Sequence, residues 1–389
     1  MLGTALTQPL RSDDRVREFP FADEMTYLNH AASSPLPARS ADALRRHVSE
    51  RQRLFDLYQT GTQDYDPTAL RAKLGRLVNA APQSIGFAPT TSDGISGTLN
   101  AIDWRPGDNL VVAANDYPGV LYACDCLVRR GVEVRKVPMP NGHLELERLV
   151  DALDPRTRAL AASHVHWQTG YRVDLQSLGR ACNDRGVLSV IDAIQSLGSQ
   201  PIDLAVTPVD VLVAGAYKWL LGVPGVAVLY VSPRALEWLV PDRAGWVSMR
   251  TSVYAEPRVD WLPDAMRFMA GAPTNAALVA LEQSVELLLE VGVAAIARHT
   301  AGLVGAIAAG AERLGMRINS RLTPECRSSI VSVTTGDPDR DLALLRDLVA
   351  QRIIVAQRGP GLRIAPHLHN LSEDVERLLD ALGRALTAS

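Results

Sequence analysis

Cysteine is scarce in this 389-residue chain, which contains only Cys124, Cys126, Cys182 and Cys326. None forms a C-x-x-C pair. Cys124 and Cys126 would face opposite ways on a strand and are not neighbours on a helix, so no metal site is expected. So few thiols in so long a chain suit a reducing compartment, and a cytoplasmic protein is expected. A strong excess of either charge is also lacking. With 40 basic and 43 acidic residues the formal net charge is −3, which offers no basic surface to nucleic acid. The opening residues, MLGTALTQPLRSDDR, have no charged region followed by a sustained apolar run, so no secretory signal is expected. The longest apolar stretch, Leu287 to Gly315, is interrupted by Glu290, Arg298, His299 and Glu312. It reads as an amphipathic helical pair and not as a membrane span.

Lysine is the most telling shortage. Of the 40 basic residues, only Lys73, Lys136 and Lys218 are lysines. Lys73 falls in the helical pattern Ala69 to Val78 and Lys136 on the polar face of a strand, where both suit solvated charges. Lys218 lies in VLVAGAYKWLLGVPGVAVLY, flanked almost entirely by apolar residues. A lysine at a strand end can snorkel to solvent. It can also be an amine desolvated enough to act as a nucleophile, a role arginine cannot fill because it keeps its proton.

From Ser84 to Tyr230 short apolar runs alternate with helical patterns. The expected strands are Ile85–Ala88, Asn109–Ala113, Glu133–Pro138, Ala159–His164, Leu188–Asp192, Val209–Gly215 and Val226–Val231. Several are apolar without alternation, as strands of a parallel sheet covered on both faces should be. This rhythm predicts an α/β fold with a mainly parallel seven-stranded sheet and a site at the carboxyl ends of its strands. After Trp246 the rhythm changes. A helix is expected from Asn275, then short strands at Ser328–Val333, Ile353–Ala356 and Gly361–Ala365, then a helix over Ser372–Leu386. The division is thus an N-terminal arm (1–25) along the surface, a large α/β domain (26–250) and a small α+β domain (251–389).

Three elements fall on strand ends. Pro89-Thr90-Thr91-Ser92-Asp93-Gly94 places hydroxyls and free backbone N–H groups at a helix start, which suits either a phosphate or simple N-capping. Asp192 ends a buried strand, where an acid needs a cationic partner such as a protonated pyridine nitrogen or a structural cation. Gln195, three residues on, is within reach of a ring hydroxyl. Lys218 follows the next strand, so the three groups share one sheet edge.

In that order and spacing, the chain resembles the class V aminotransferase family of fold-type I pyridoxal phosphate enzymes. That family also includes cysteine desulfurases, kynureninase and isopenicillin N epimerase-like proteins. The likeness runs from Tyr27-Leu28-Asn29-His30-Ala31-Ala32 through Thr91-Ser92, His164-Val165-His166-Trp167-Gln168-Thr169-Gly170, Val190-Ile191-Asp192-Ala193-Ile194-Gln195-Ser196 and Lys218 to Leu362-Arg363-Ile364-Ala365-Pro366-His367-Leu368-His369-Asn370. It implies pyridoxal 5'-phosphate held as a Schiff base on Lys218, which also moves the Cα proton. Asp192 would pair with the pyridine nitrogen, Gln195 with the phenolic oxygen, and Thr91 and Ser92 with phosphate. Tyr117 would stack on the ring as a further catalytic group, with Trp167 and Tyr217 beside the cofactor. Arg363 would clamp the substrate carboxylate, with Asn29, His30 and Trp167 lining the substrate side. A homodimer acting on an amino acid is implied.

Departures from the family narrow the reaction. Trp167 stands where many members have Asn, and Tyr217 where desulfurases have His. Ala272 replaces the usual Thr of a Gly-Thr-Pro turn from the neighbouring subunit, leaving Thr274 or Asn275 to compensate. The stretch Ile353 to Gly361 contains no cysteine, and a desulfurase needs a thiolate there, so desulfuration is disfavoured. Transamination is the first expectation, since it needs only Lys218 as acid and base plus a carboxylate clamp. C–S or other β-elimination is the main rival. Epimerisation would need a second acid/base, for which Tyr117 and His166 are the candidates. Kynureninase-like hydrolysis and a cofactor-less scaffold complete the alternatives.

Overall fold

The structure is a computed structural model and describes residues 9–10, 12–53, 65–250, 256, 258–271 and 274–387. Seven strands build the central sheet: β2 (Ile85–Ala88), β3 (Asn109–Ala113), β4 (Glu133–Val137), β5 (Thr157–Ser163), β6 (Leu188–Asp192), β7 (Val211–Gly215) and β8 (Ala227–Val231). Their spatial order is β2-β8-β7-β6-β5-β3-β4, and only β8 runs antiparallel to its neighbours. β3, β6 and β7 are buried along their whole length. One apolar core lies on each face of the sheet, and this double covering is why these strands do not alternate. The expected mainly parallel α/β fold is therefore present.

β8 reverses direction after the loop 216–226 that follows β7, in which Leu221 (φ +57°) and Gly225 (φ +98°) turn the chain. β2, paired to β8, then runs parallel to the rest. The chain consequently leaves β2, β3, β5, β6 and β7 at one edge, which brings positions 91, 117, 167, 192 and 218 towards a common end.

A second sheet has the antiparallel order β12-β13-β10-β9, from β9 (Arg317–Ile318), β10 (Val331–Thr334), β12 (Ala356–Gln357) and β13 (Leu362–Ile364). Behind it pack the helices Val293–Arg313, Pro338–Ala350 and Ser372–Thr387 around a third core that includes Leu303, Ile307, Leu344, Ile364 and Leu378. Val293–Arg313 is long and apolar enough by composition to cross a bilayer; here its Leu303, Val304, Ile307 and Ala311 are fully buried in that core.

Two expectations need correction. The run Ile353–Ala356 is not one strand. β11 (Ile353–Ile354) pairs in parallel with β1 (Thr26–Tyr27) from the N-terminal region, and only Ala356–Gln357 joins β13. The N-terminal arm does not simply run along the surface either. Ser12–Glu18 is helical, and Phe19 is fully buried with its ring stacked on His369 at 4.6 Å between centroids. Arg15 holds the arm down by donating from Nε to the His369 carbonyl at 2.8 Å. An apolar ring next to a backbone acceptor gives this segment a buried place despite its charges.

Candidate active site

The first wall of the site is the sheet edge. β2 leads into the helix Thr91–Asn100, whose N-cap Thr90 accepts from the Asp93 N–H at 3.1 Å. Thr91 is buried, and its Oγ1 accepts from the Gly215 N–H at 2.9 Å, which ties this helix to the end of β7. Ser92 is exposed and lies against the start of the next helix, where a Cβ on Gly119 would come within 2.8 Å of its Oγ. The helix terminus, the Ser92 hydroxyl and the remaining Thr91 proton make a seat for an anion.

Asp192 and Lys218 are 3% and 6% exposed. Asp192 Oδ1 accepts from the Ile194 N–H at 2.9 Å. Burial, assisted by repulsion from Asp116, raises the Asp192 carboxyl well above the ordinary range; Lys218 pulls the other way. Burial lowers the Lys218 amine, Asp192 opposes this, and the positive charges of Arg363 and Arg358 depress it further. No carboxylate among the described residues comes within 4.0 Å of Lys218, so Asp192 and Lys218 sense each other without forming an ion pair. Lys218 Nζ lies 5.8 Å from the Tyr117 ring centroid and 5.7 Å from that of Tyr217.

Tyr117 caps the helix Pro118–Asp125, with Pro118 at the position where a missing N–H costs nothing. Its ring meets Trp167 edge-on at 5.7 Å. Gln195 is more committed than its expected role suggests. Its Nε2 donates to the Ala31 carbonyl at 2.9 Å and its Oε1 accepts from Trp219 Nε1 at 3.0 Å, leaving one amide proton spare.

The second wall is the β12–β13 hairpin. Arg363 is 2% exposed and donates from Nη1 to the Trp167 carbonyl at 2.7 Å. Burial, with repulsion from Arg358, lowers its pKa to about 10. Asn29 pairs by an isolated parallel bridge with Ala365, just past the end of β13. His30 is placed differently: it is fully buried, with Nδ1 at 2.7 Å from Ser34 Oγ and its ring among Tyr27, Trp219, His367 and His369. It supports the floor of the cleft instead of lining it. Arg363 Nε, Trp167 Nε1, Asn29 Oδ1 and His30 Nε2 are all buried without a hydrogen-bond partner. For Arg363 Nε, Trp167 Nε1 and Asn29 Oδ1 a polar ligand in the cleft would supply the missing partner; His30 Nε2 belongs to the buried floor, among the neighbouring rings.

Several contributors are not legible as site residues in the sequence. Asp116 accepts from the Tyr117 and Ser163 N–H groups at 2.6 and 2.8 Å and from the Ser163 hydroxyl, fixing the turn that carries Tyr117 to the end of β5. Trp219 forms the joint between walls, since its carbonyl meets His367 Nε2 at 3.1 Å and its indole meets Gln195. Arg358, at the hairpin tip, is signalled only by the Arg358-Gly359-Pro360-Gly361 turn just before Arg363. Thr274 caps the helix Asn275–Val291 close to Gly225, while Ala272 lies outside the described residues.

Comparison with known proteins bears on this constellation. The family model for aminotransferase class-V matches residues 26–376. An uncharacterized aminotransferase of Bacillus subtilis, YcbU, is 26% identical over 315 residues, covering 80% of this chain and 82% of that protein. A probable cysteine desulfurase of Methanothermobacter thermautotrophicus is 24% identical over 401 residues, covering 96% of this chain and 98% of that protein. A cysteine desulfurase of Escherichia coli is 28% identical over 313 residues, covering 75% and 76%. Among solved structures, the cystine C–S lyase C-DES in complex with its product cysteine persulfide superposes with a TM-score of 0.84 at 23% identity, over 94% of this chain and 99% of that one.

Proposed function

Because this chain belongs to the aminotransferase class V family, we propose that it is a pyridoxal phosphate-dependent enzyme that acts at the Cα of an amino acid, with transamination as its reaction. Pyridoxal phosphate would be held on Lys218 Nζ at rest and, once the substrate amine takes the lysine's place and frees Nζ, would supply an electron sink conjugated to the substrate nitrogen. The observation that carries this reading is the buried, unbridged pair of Asp192 and Lys218 at adjoining strand ends. A ring nitrogen beside Asp192 relieves the cost of burying that acid. An amine with weakened proton affinity attacks a carbonyl carbon, and near neutral pH it both accepts and returns a proton at Cα.

The other side chains suit the same ligand. Thr91, Ser92 and the helix N-terminus hold the phosphate, and Tyr117 and Tyr217 flank the ring. The spare proton of Gln195 serves the phenolic oxygen. Arg363 offers its planar fork to the α-carboxylate, and Trp167 and Asn29 offer their unpartnered atoms to the substrate. His30 holds the floor beneath them. The family resemblance favours a homodimer as the working form.

A second reading, C–S β-elimination, is favoured by the relatives named cysteine desulfurases. Elimination needs no enzyme thiolate. Desulfuration through an enzyme thiol does, and Ile353 to Gly361 contains none. Epimerisation is weaker, because the His166 ring is engaged by Thr169 at Nδ1 and by the Asn115 carbonyl at Nε2.

Protein reconstituted with pyridoxal phosphate should absorb near ~420 nm or ~330 nm, as such Schiff bases do. Lys218→Ala should abolish that band with an unchanged circular dichroism spectrum. A wild-type protein that shows neither band overturns the proposal and leaves a cofactor-less scaffold. With an amino-acid panel, keto acid without free ammonia marks transamination. Ammonia together with sulfide marks elimination instead.

A further inference from the structure

Among the described residues, four other than glycine have a positive φ: Asn79, Asn141, Leu221 and Arg352. Three of them are exposed; Leu221, at φ +57°, is fully buried. A bulky side chain rarely adopts this left-handed conformation, and such strain persists only where the surroundings impose it. Leu221 lies three residues after Lys218, in the loop between β7 and β8, within the core on one face of the sheet.

That loop is held by its carbonyls. Those of Ala216, Tyr217 and Lys218 accept from the N–H groups of Gly222, Ser34 and Leu221 at 2.9, 2.8 and 3.0 Å. The Trp219 carbonyl meets His367 Nε2 at 3.1 Å. The Leu221 carbonyl accepts from Ser284 Oγ at 2.7 Å, on the helix Asn275–Val291. A serine hydroxyl has one proton, and the alternative acceptor, the Ala280 carbonyl one turn back, is farther off at 3.3 Å. Ser284 therefore donates to Leu221 and accepts from Ser40 Oγ, 2.8 Å away on the helix Ala38–Arg51. Both serines are fully buried. Hydroxyls in an apolar core are costly unless bonded, and this relay of bonds ends on the carbonyl of the strained residue.

We propose that Ser284, backed by Ser40, is a positioning residue for Lys218. Its bond keeps Leu221 left-handed, so that the Leu221 N–H reaches back to the Lys218 carbonyl. The amine is thereby kept beside the rings of Tyr117 and Tyr217, 5.8 and 5.7 Å from their centroids. This rests on the proposed function, which makes Lys218 the group that holds the cofactor. Without the Ser284 hydroxyl the Leu221 carbonyl is buried and unpaired, the turn relaxes, and the Lys218 backbone loses its fixed direction. An amine displaced by about 1 Å attacks a carbonyl carbon far more slowly.

The test measures how fast the full-length protein, freed of cofactor, forms an imine with pyridoxal, which lacks the phosphate that the seat at Thr91 and Ser92 would draw in. The Lys218 amine adds to the aldehyde carbon and water leaves; the imine absorption, counted above a Lys218→Ala background, gives the rate. Ser284→Ala should slow it about tenfold or more, and Ser284→Thr, which keeps the hydroxyl, should restore most of the loss. If Ser284→Ala does not fold, Ser284→Cys, similar in size but a weak donor, is read in the same way. Thr300→Val serves as the control for lost stability, since it removes a buried hydroxyl bond from the helix Val293–Arg313. It should lower Tm and leave the rate unchanged. A Ser284→Ala rate within about twofold of wild type, or an equal slowing in Thr300→Val, overturns the inference. Failure of the underlying function looks different: the wild type then forms no imine above the background.

Discussion

The sheet edge that carries Asp192 and Lys218 and the hairpin that carries Arg358 and Arg363 face one cleft, yet they are built by different means. The edge ends five-residue strands that are buried throughout and laddered on both sides. The hairpin consists of a two-residue and a three-residue strand, steadied by side-chain bonds to neighbouring loops. Under the proposed function, the groups that meet the cofactor sit on the stiff wall, and the arginine that meets the substrate's α-carboxylate sits on the shorter one, where a substitution disturbs little of the core.

The strongest challenge to the comparison is Asp192→Asn. It keeps shape and the Ile194 hydrogen bond but removes the charge that would hold the ring nitrogen protonated. Turnover should fall about 10²- to 10³-fold, as when a preorganised electrostatic group is lost. Cofactor absorption should persist, because attachment belongs to Lys218. A fall below about tenfold would show that the stiff wall is not where the electrostatics of the reaction are set.

On the hairpin, Arg363→Lys keeps a charge and discards the fork. KM should rise about 10- to 100-fold, the cost of a charge-assisted hydrogen bond, with a smaller change in kcat. Steady-state kinetics on the preferred amino acid read the split. An equal fall in kcat would move Arg363 from recognition to chemistry and erase the distinction between walls.

How far this division can be foreseen depends on what fixes each part. β2, β3 and β6 lie at the residues expected, because strands buried on both faces leave an unmistakable apolar run. Lys218 stands out because lysine is rare here, and Asp192 because an acid closes a buried strand. The hairpin wall is harder to see. Ile353–Ile354 finds its partner in Thr26–Tyr27, more than 300 residues away in sequence, and nothing local announces such a pairing. The Arg358-Gly359-Pro360-Gly361 turn is visible in the sequence, but not that it rests on Gln168. Gln195 and His30 stand out in the sequence, but their tethering bonds to Ala31, Trp219 and Ser34, and the burial that takes His30 out of the cleft lining, emerge only with the tertiary packing.

The joint between the walls is rich in buried histidine, which makes it sensitive to acid. Burial lowers His367 to about 4 and His166 to about 4, and His30 and His369 fall well below the usual value through burial and mutual repulsion. In the unfolded chain these rings titrate near ~6.5. Their stabilising effect is therefore complete above that pH. Between ~6.5 and ~4 the unfolded chain binds protons that the folded chain refuses, so stability is lost as the pH falls. Each ring contributes up to about 1.4 kcal/mol per pH unit. Thermal melts from pH 7.5 to 4.5 should show a steadily falling Tm, and His367→Gln should flatten the slope. A Tm independent of pH over this range would mean that the joint opens before the rings are protonated, and that the walls are less firmly coupled than their contacts imply.

The finest test touches only the hairpin tip. Gly359 holds φ +58°, where an L-residue is strained, and its missing Cβ leaves room for Gln168. Gly359→Ala should cost about 1 kcal/mol of stability, from backbone strain and displacement of the flexible Gln168 amide. Because the tip rests on the segment that carries Trp167, the change should also raise KM for the preferred amino acid several-fold, with little effect on the cofactor band. Equal effects on band and KM would mean that strain at the tip reaches Lys218. The hairpin and the sheet edge would then move as one body, and the contrast between a stiff chemical wall and an adaptable recognition wall would no longer hold.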